Sequence, residues 1–145
     1  MAFKTLTSAN SILIIGVAGL FNAPQQIQGF ATDDIFSIED IDTVETAMGV
    51  DGKLSAGWVP VPIKQKITLQ ADSDSTFIFE QWYQQQQLAK ETLIASGSIF
   101  LPSVQRKYLM TRGFLTSVSV APTAKKILQP RAYSITWQSV SAAPF

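Results

Sequence analysis

The sequence predicts a mainly β fold, an antiparallel β-sandwich or partly closed barrel with one flanking α-helix at about residues 72–90. Three observations carry this. Short runs of period-two alternation recur along the chain, with Ile63, Gln65, Ile67 and Leu69 set against Lys64, Lys66, Thr68 and Gln70. Gly, Pro and Asp punctuate the runs at turn spacing. Only one stretch, Ala71 to Glu91, has helical periodicity. At 145 residues the chain fits a single domain, 1–145, and a chain of this size buries roughly 70% of its unfolded surface.

Ile12 to Phe21, ILIIGVAGLF, is too short to cross a bilayer, which needs about 20 apolar residues. Lys4 precedes it as in a signal peptide, but Phe21-Asn22-Ala23-Pro24 is a poor cleavage sequence. The expectation is therefore a strand buried on both faces, or one whose Gly16 and Gly19 admit another backbone close by. Asn22 to Pro24 and Asp33-Asp34 read as turns, with a strand from Gln26 to Ala31 between them. Ile35 to Ala47 mixes acidic and apolar residues.

The sharpest turn signal is Asp51-Gly52, the dipeptide a tight hairpin favours because glycine reaches positive φ without a Cβ clash. Lys53 to Pro62 comes next, too poor in alternation for an ordinary strand. The region at about 47–62 therefore reads as a long hairpin with a large non-repetitive tip, and such tips commonly serve contact. In the helix, Asp72, Ser73, Asp74 and Ser75 are N-cap candidates, and the aspartates would complement the helix dipole. Phe79, Trp82 and Tyr83 fall at i, i+3 and i+4 and, with Ile78, form an aromatic face able to cover a sheet. Gln84 to Gln87 is polar yet uncharged and reads as surface. Strands are expected again at Thr92 to Leu101, Val104 to Val120 and Lys126 to Val140. Arg112-Gly113 marks a bulge or turn. Tyr133, Ile135 and Trp137 alternate with Ala132, Ser134 and Thr136.

Cysteine and histidine are absent, which removes thiol chemistry, disulfides, the usual general base and the commonest metal ligand. Asp33, Asp34, Asp40 and Asp42 lack the spacing of a calcium loop. No phosphate-binding loop, dinucleotide fingerprint, nucleophile elbow or zinc motif occurs. Catalytic, cofactor and metal residues are accordingly expected to be none, and an enzyme is not expected. Charged residues are 15% of the chain, against about 25% in an average domain, a composition suited to a surface that other protein covers.

The net charge of zero conceals an asymmetry. Up to Gly52 there are seven acids and only Lys4, whereas from Thr92 onward there are six bases and no acid. Either the two regions pair within one chain, or the acidic surface of one copy meets the basic surface of the next in a head-to-tail arrangement. The bases are too dispersed for a nucleic-acid-binding tail.

The stretch GVDGKLSAGWVPVPIKQKITLQADSDS, the helix with FEQWYQQQ, and strands such as SGSIFLPSVQRKYLMTRGFLTSVSV resemble the tail tube proteins of contractile-tailed bacteriophages, over Ile12 to Trp137. The resemblance rests on the succession of segments. It implies two packed β-sheets with a flanking helix, assembled as hexameric rings that stack into a hollow conduit for DNA ejection. It further implies a location in the virion tail after assembly in the host cytoplasm. The implied partners are identical copies, the contractile sheath, and baseplate and neck proteins. Genomic DNA would pass through the lumen without sequence-specific binding, and no membrane insertion is implied. The tube of a related contractile injection or secretion system and a small β-sandwich ligand-binding module stand as alternatives. A ligand-binding module would show a closed pocket around Trp58, Trp82 or Trp137.

On this reading Val50 to Trp58 reaches the adjacent ring, with Val50, Asp51, Gly52, Lys53, Leu54 and Trp58 as contact residues. Its competitor is a loop folded back on its own sheet. A DNA channel functions best without adhesive basic walls, since each Lys or Arg contact to phosphate retards sliding. Lumen positions are therefore expected to be polar or acidic, with Arg106, Lys107 and Arg112 facing neighbouring subunits or the sheath.

Overall fold

The computed structural model describes residues 11–21, 23–30 and 35–144. The expected turn at Asp33-Asp34, the turn residue Asn22 and the terminal Phe145 lie outside them. Among the described residues, nine strands and one helix run in the order β1 (Ile12–Val17), β2 (Gln25–Ile27), β3 (Phe36–Ile38), β4 (Val44–Met48), β5 (Leu54–Trp58), β6 (Ile63–Leu69), α1 (Thr76–Ala89), β7 (Ala95–Leu101), β8 (Arg106–Val118) and β9 (Arg131–Ala143). Seven strands form one antiparallel sheet in the order β2-β1-β7-β8-β9-β6-β3, while β4 and β5 pair only with each other.

The sheet curls into a partly closed barrel. The chain leaving β2 meets the far side of β6 through a bridge between Phe30 and Leu69, and the Gln70 amide donates to the Gly29 carbonyl at 2.9 Å. The two sheets that the resemblance implied are thus one continuous sheet wrapped round on itself. Long β8 and β9, 13 residues each, form its spine.

Alternation decides which side chains enter the core. Ile67 and Leu69 of β6, and Tyr133, Ile135 and Trp137 of β9, are fully buried, as their spacing predicts. Gln65 shares that apolar face and is buried too, because its Oε1 accepts a 2.9 Å hydrogen bond from Trp137 Nε1. β1 is shorter than expected and seals one face only: Leu13, Ile15 and Val17 are buried, the residues between them only partly, and Ala18 to Leu20 turn away. The expected close approach at Gly16 and Gly19 does not occur. Pro24 lies at ordinary contact distance from a Cβ built on Gly16, and a Cβ built on Gly19 would meet no described atom within 4 Å. Close packing falls instead at Gly113, where a Cβ would enter the ring of Trp137. Beside it, Arg112 has φ of 49° and β8 bulges against β7, so this dipeptide does bend the strand as expected.

α1 covers the open core. Ile78, Phe79 and Trp82 are buried, Tyr83 packs at the margin, and Phe79 stacks on Tyr133 with ring centroids 4.3 Å apart. The helix starts later than expected, so its first turn holds no acid; Asp72 and Asp74 lie in the preceding turn and do not act on the dipole there. Its N-cap, Ser75, makes no side-chain cap bond. Instead Ser75 Oγ accepts from the Gln28 amide at 2.7 Å, and Ser73 Oγ donates to the Gln28 carbonyl at 2.5 Å. These two serines thereby tie the helix entrance to the chain leaving β2. β9 begins at Arg131, later than the expected Lys126, because residues 121–130 form a loop closed by an Ala124–Leu128 bridge and Pro130 precedes the strand.

Candidate assembly surface

The Asp51-Gly52 signal forms a tight turn. Gly52 has φ of 85°, the Gly49 amide donates to the Lys53 carbonyl at 2.8 Å, and Asp51 Oδ1 accepts from the Lys53 amide at 3.1 Å. The segment after the turn departs from the sequence-based expectation of an irregular loop. Leu54 to Trp58 is a strand, paired with β4 in the register Val44↔Trp58, Thr46↔Ala56 and Met48↔Leu54. The alternation of Leu54, Ala56 and Trp58 with Ser55 and Gly57 is short, is built partly of small residues and runs straight into Pro60 and Pro62, which is why the segment reads as a loop, and every residue of β4 and β5 is exposed. The expected large irregular tip is therefore itself a two-stranded ribbon, standing off the barrel.

That ribbon is amphipathic. Residues two apart share a face, so Val44, Thr46 and Met48 lie beside Trp58, Ala56 and Leu54, while Glu45, Ala47, Ser55 and Gly57 occupy the other side. On the first face Val44 is 46% exposed, Met48 66%, Leu54 59% and Trp58 77%. An isolated two-stranded hairpin is marginally stable in water. Four large apolar side chains held in solvent mark a contact surface more strongly than scattered ones would. Of the residues expected in inter-ring contact, Val50, Asp51, Gly52, Lys53 and Leu54 cluster at the exposed tip, and Trp58 stands at the root opposite Val44. Sequence reasoning missed Val44 and Met48. Folding the sequence back on itself about Asp51-Gly52 would have paired them with Trp58 and Leu54.

Arg106, Lys107 and Arg112 do not form one patch. Arg106 and Lys107 open β8, whereas Arg112 sits at its bulge. Lys107 Nζ lies 5.1 Å from the Phe100 ring centroid, and the Arg112 guanidinium 5.9 Å from that of Phe114. Their own sheet thus provides each with an aromatic partner.

A second surface lies at the opposite end of β6. The ribbon enters β6 through Ile63, while residues 121–130 lead into β9 at Arg131, which pairs with Leu69 at the other end. Arg131 is buried and anchors this region. Its Nη1 donates to Glu80 Oε1 at 2.6 Å, and its Nη2 donates to the carbonyls of Ser119 at 2.7 Å and Val120 at 3.2 Å. Beside it, burial raises the pKa of the Tyr133 hydroxyl above its ordinary value; nearby Arg131 opposes the shift and Glu80 adds to it. Beyond the anchor, Val120, Ile127 and Leu128 are exposed, as are Lys125 and Lys126.

Of the three tryptophans, Trp82 and Trp137 are fully buried in the core, and Trp58 is exposed beside an open cleft shared with Ile41, Pro60 and Val140. Among the described residues no group of three or more carboxylates is placed to hold a metal ion, and no helix is long and apolar enough to cross a membrane.

The same fold occurs in chains of contractile injection systems. One similar chain, from an extracellular contractile injection system's sheath/tube terminator, has a TM-score of 0.72 at 13% identity, covering 99% of both chains. Another, from the six-fold symmetrised baseplate of the anti-feeding prophage, has a TM-score of 0.61 at 10% identity, covering 99% of this chain and 98% of that one. A third, from a sheath-tube complex, has a TM-score of 0.59 at 14% identity, covering 92% and 88%. No curated protein sequence matches. A sequence model of the tail fiber protein gp32 family matches residues 4–141, and the chain belongs to that family. The expected kinship with phage tail proteins is therefore met at the level of a phage-tail-like contractile system.

Proposed function

We propose that the chain is a non-enzymatic structural subunit that forms hexameric rings, and that these stack into the inner tube of a contractile tail. The observation that carries this is the β4–β5 ribbon, whose apolar face stands exposed among the described residues. The tube is enclosed by sheath, joined to baseplate and neck proteins, and conducts genomic DNA without reading its sequence. A virion tail is the corresponding location, with the chain acting as one domain. The same fold in a baseplate symmetrised six-fold, and in a sheath-tube complex, supports rings and stacking. Family membership among tail fiber proteins favours a phage tail over a secretion machine.

In the stacked tube, Val50 to Trp58 reaches the adjacent ring, lumen positions are polar or acidic, and Arg106, Lys107 and Arg112 face neighbours or sheath. Deleting Lys53 to Gly57 tests the assignment. The deletion removes most of β5 and nothing from the buried core, so folded rings should persist while long tubes disappear in negative-stain images. Tubes of normal length would refute it.

A further inference from the structure

Two exposed surfaces on this chain complement one another and do not meet within it. Residues 39–58 carry Glu39, Asp40, Asp42, Glu45 and Asp51 against the single base Lys53, together with exposed Val44, Met48, Leu54 and Trp58. Residues 121–130 carry Lys125 and Lys126 with no acid, and here Ile127 is 75% and Leu128 53% exposed. One surface is apolar and acidic; the other is apolar and net basic, with Asp72 sharing the cleft of Lys126, Ile127 and Leu128. The ribbon leads into β6 at Ile63, and residues 121–130 lead into β9 at Arg131, level with Leu69 at the other end of the seven-residue β6, which places their roots about 20 Å apart. Both surfaces stand exposed in the single chain, which leaves their match open to a second copy.

We infer that the 121–130 loop is the receiving site for the β4–β5 ribbon of a second copy, stacked end to end along the barrel. This rests on the tube reading above and names the contact that would join one ring to the next. The ribbon's Val44, Met48, Leu54 and Trp58 face covers Ile127, Leu128 and Val120, and Lys125 and Lys126 meet the acids at the ribbon's base. Because the donor surface and the receiver lie at opposite ends, the contact is heterologous and repeats without closing, as a filament requires. The anchor explains how an exposed loop presents a fixed surface: Arg131 holds the carbonyls of Ser119 and Val120, where the loop begins. The basic residues Arg106 and Lys107 are poorer receivers for axial stacking, because they flank the β7–β8 turn on the ribbon's side of Gly113, which lies level with Trp137 and Ile63.

The cysteine-free chain permits a direct test. Trp58→Cys together with Ile127→Cys should yield disulfide-linked ladders of many copies on a non-reducing gel, and each single variant should not. In parallel, Lys125→Glu with Lys126→Glu should weaken stacking roughly tenfold or more while leaving rings intact. Adding Asp40→Lys and Asp42→Lys should restore it. Stacked tubes that form no ladder, or that tolerate the reversed loop unchanged, would overturn this contact and leave the tube reading standing. A wild-type chain that forms neither rings nor stacks would overturn both. Ladders from unstacked rings would place the contact sideways and reject the axial assignment.

Discussion

Tyr133 is fully buried, and its hydroxyl has no hydrogen-bond partner among the described residues. Its ring is fixed by the stack on Phe79 and by the Arg131 guanidinium 5.7 Å away. A buried polar group without a partner costs about 1–3 kcal/mol, and replacing it by an apolar group of the same shape is near neutral or stabilising. Tyr133→Phe should therefore leave stability unchanged or raise it by up to about 1 kcal/mol at neutral pH. Burial also raises this tyrosine's pKa above 10.0, so above that pH the unfolded chain loses the proton while the folded chain keeps it. Stability from this group is present below pH 10 and declines as pH rises through the folded value. Urea unfolding at neutral and strongly alkaline pH should show a smaller alkaline loss for Tyr133→Phe than for wild type. An unchanged alkaline loss would show that other groups cause it. Side chains such as Gln65 show the limit of sequence reading at this scale: its position on the apolar face was legible, but its partner, Trp137 Nε1, lies 72 residues away.

Strands and helix differ in what their patterns disclose. The helical aromatic spacing identified the buried face of α1, and strict alternation identified β6 and the inward residues of β9. In each case one side meets the core and the other meets solvent, which writes a period into the sequence. β5 carries only a short period, Leu54, Ala56 and Trp58 against Ser55 and Gly57, and its small residues and the prolines just beyond hide it. Nor do local patterns encode that the sheet is one curled surface, a property of pairings such as Phe30 with Leu69. The same distinction separates two tryptophans. Trp82→Ala removes a fully buried ring from α1 and should cost about 3–5 kcal/mol. Trp58→Ala, at 77% exposure on the ribbon, should change the unfolding free energy of the unassembled chain by no more than about 0.5 kcal/mol. Chemical denaturation of both, at concentrations too low for assembly, checks the contrast. Equal destabilisation would mean that the ribbon packs on its own barrel, the folded-back alternative.

If other copies complete the ribbon and the 121–130 loop as proposed, the molecule should gain stability from its own concentration. Binding that exists only in the folded state stabilises by RT ln(1 + [L]/Kd), where the ligand here is another folded copy. The apparent Tm should accordingly rise with protein concentration once assembly begins, whereas a self-sufficient monomer would melt at a constant temperature. Ionic strength separates the two parts of the contact. Raising salt from about 0.1 M to 1 M shortens the screening length from about 10 Å to about 3 Å, weakening the attraction between the acidic ribbon and Lys125 and Lys126. Apolar burial and strand pairing are not screened in that way. Stacks should thus shorten in high salt before rings dissociate, a sequence that negative-stain images and sedimentation velocity can follow on one sample. A Tm independent of concentration, with sedimentation as a single small species throughout, would contradict the self-completing surface on which the proposed tube depends.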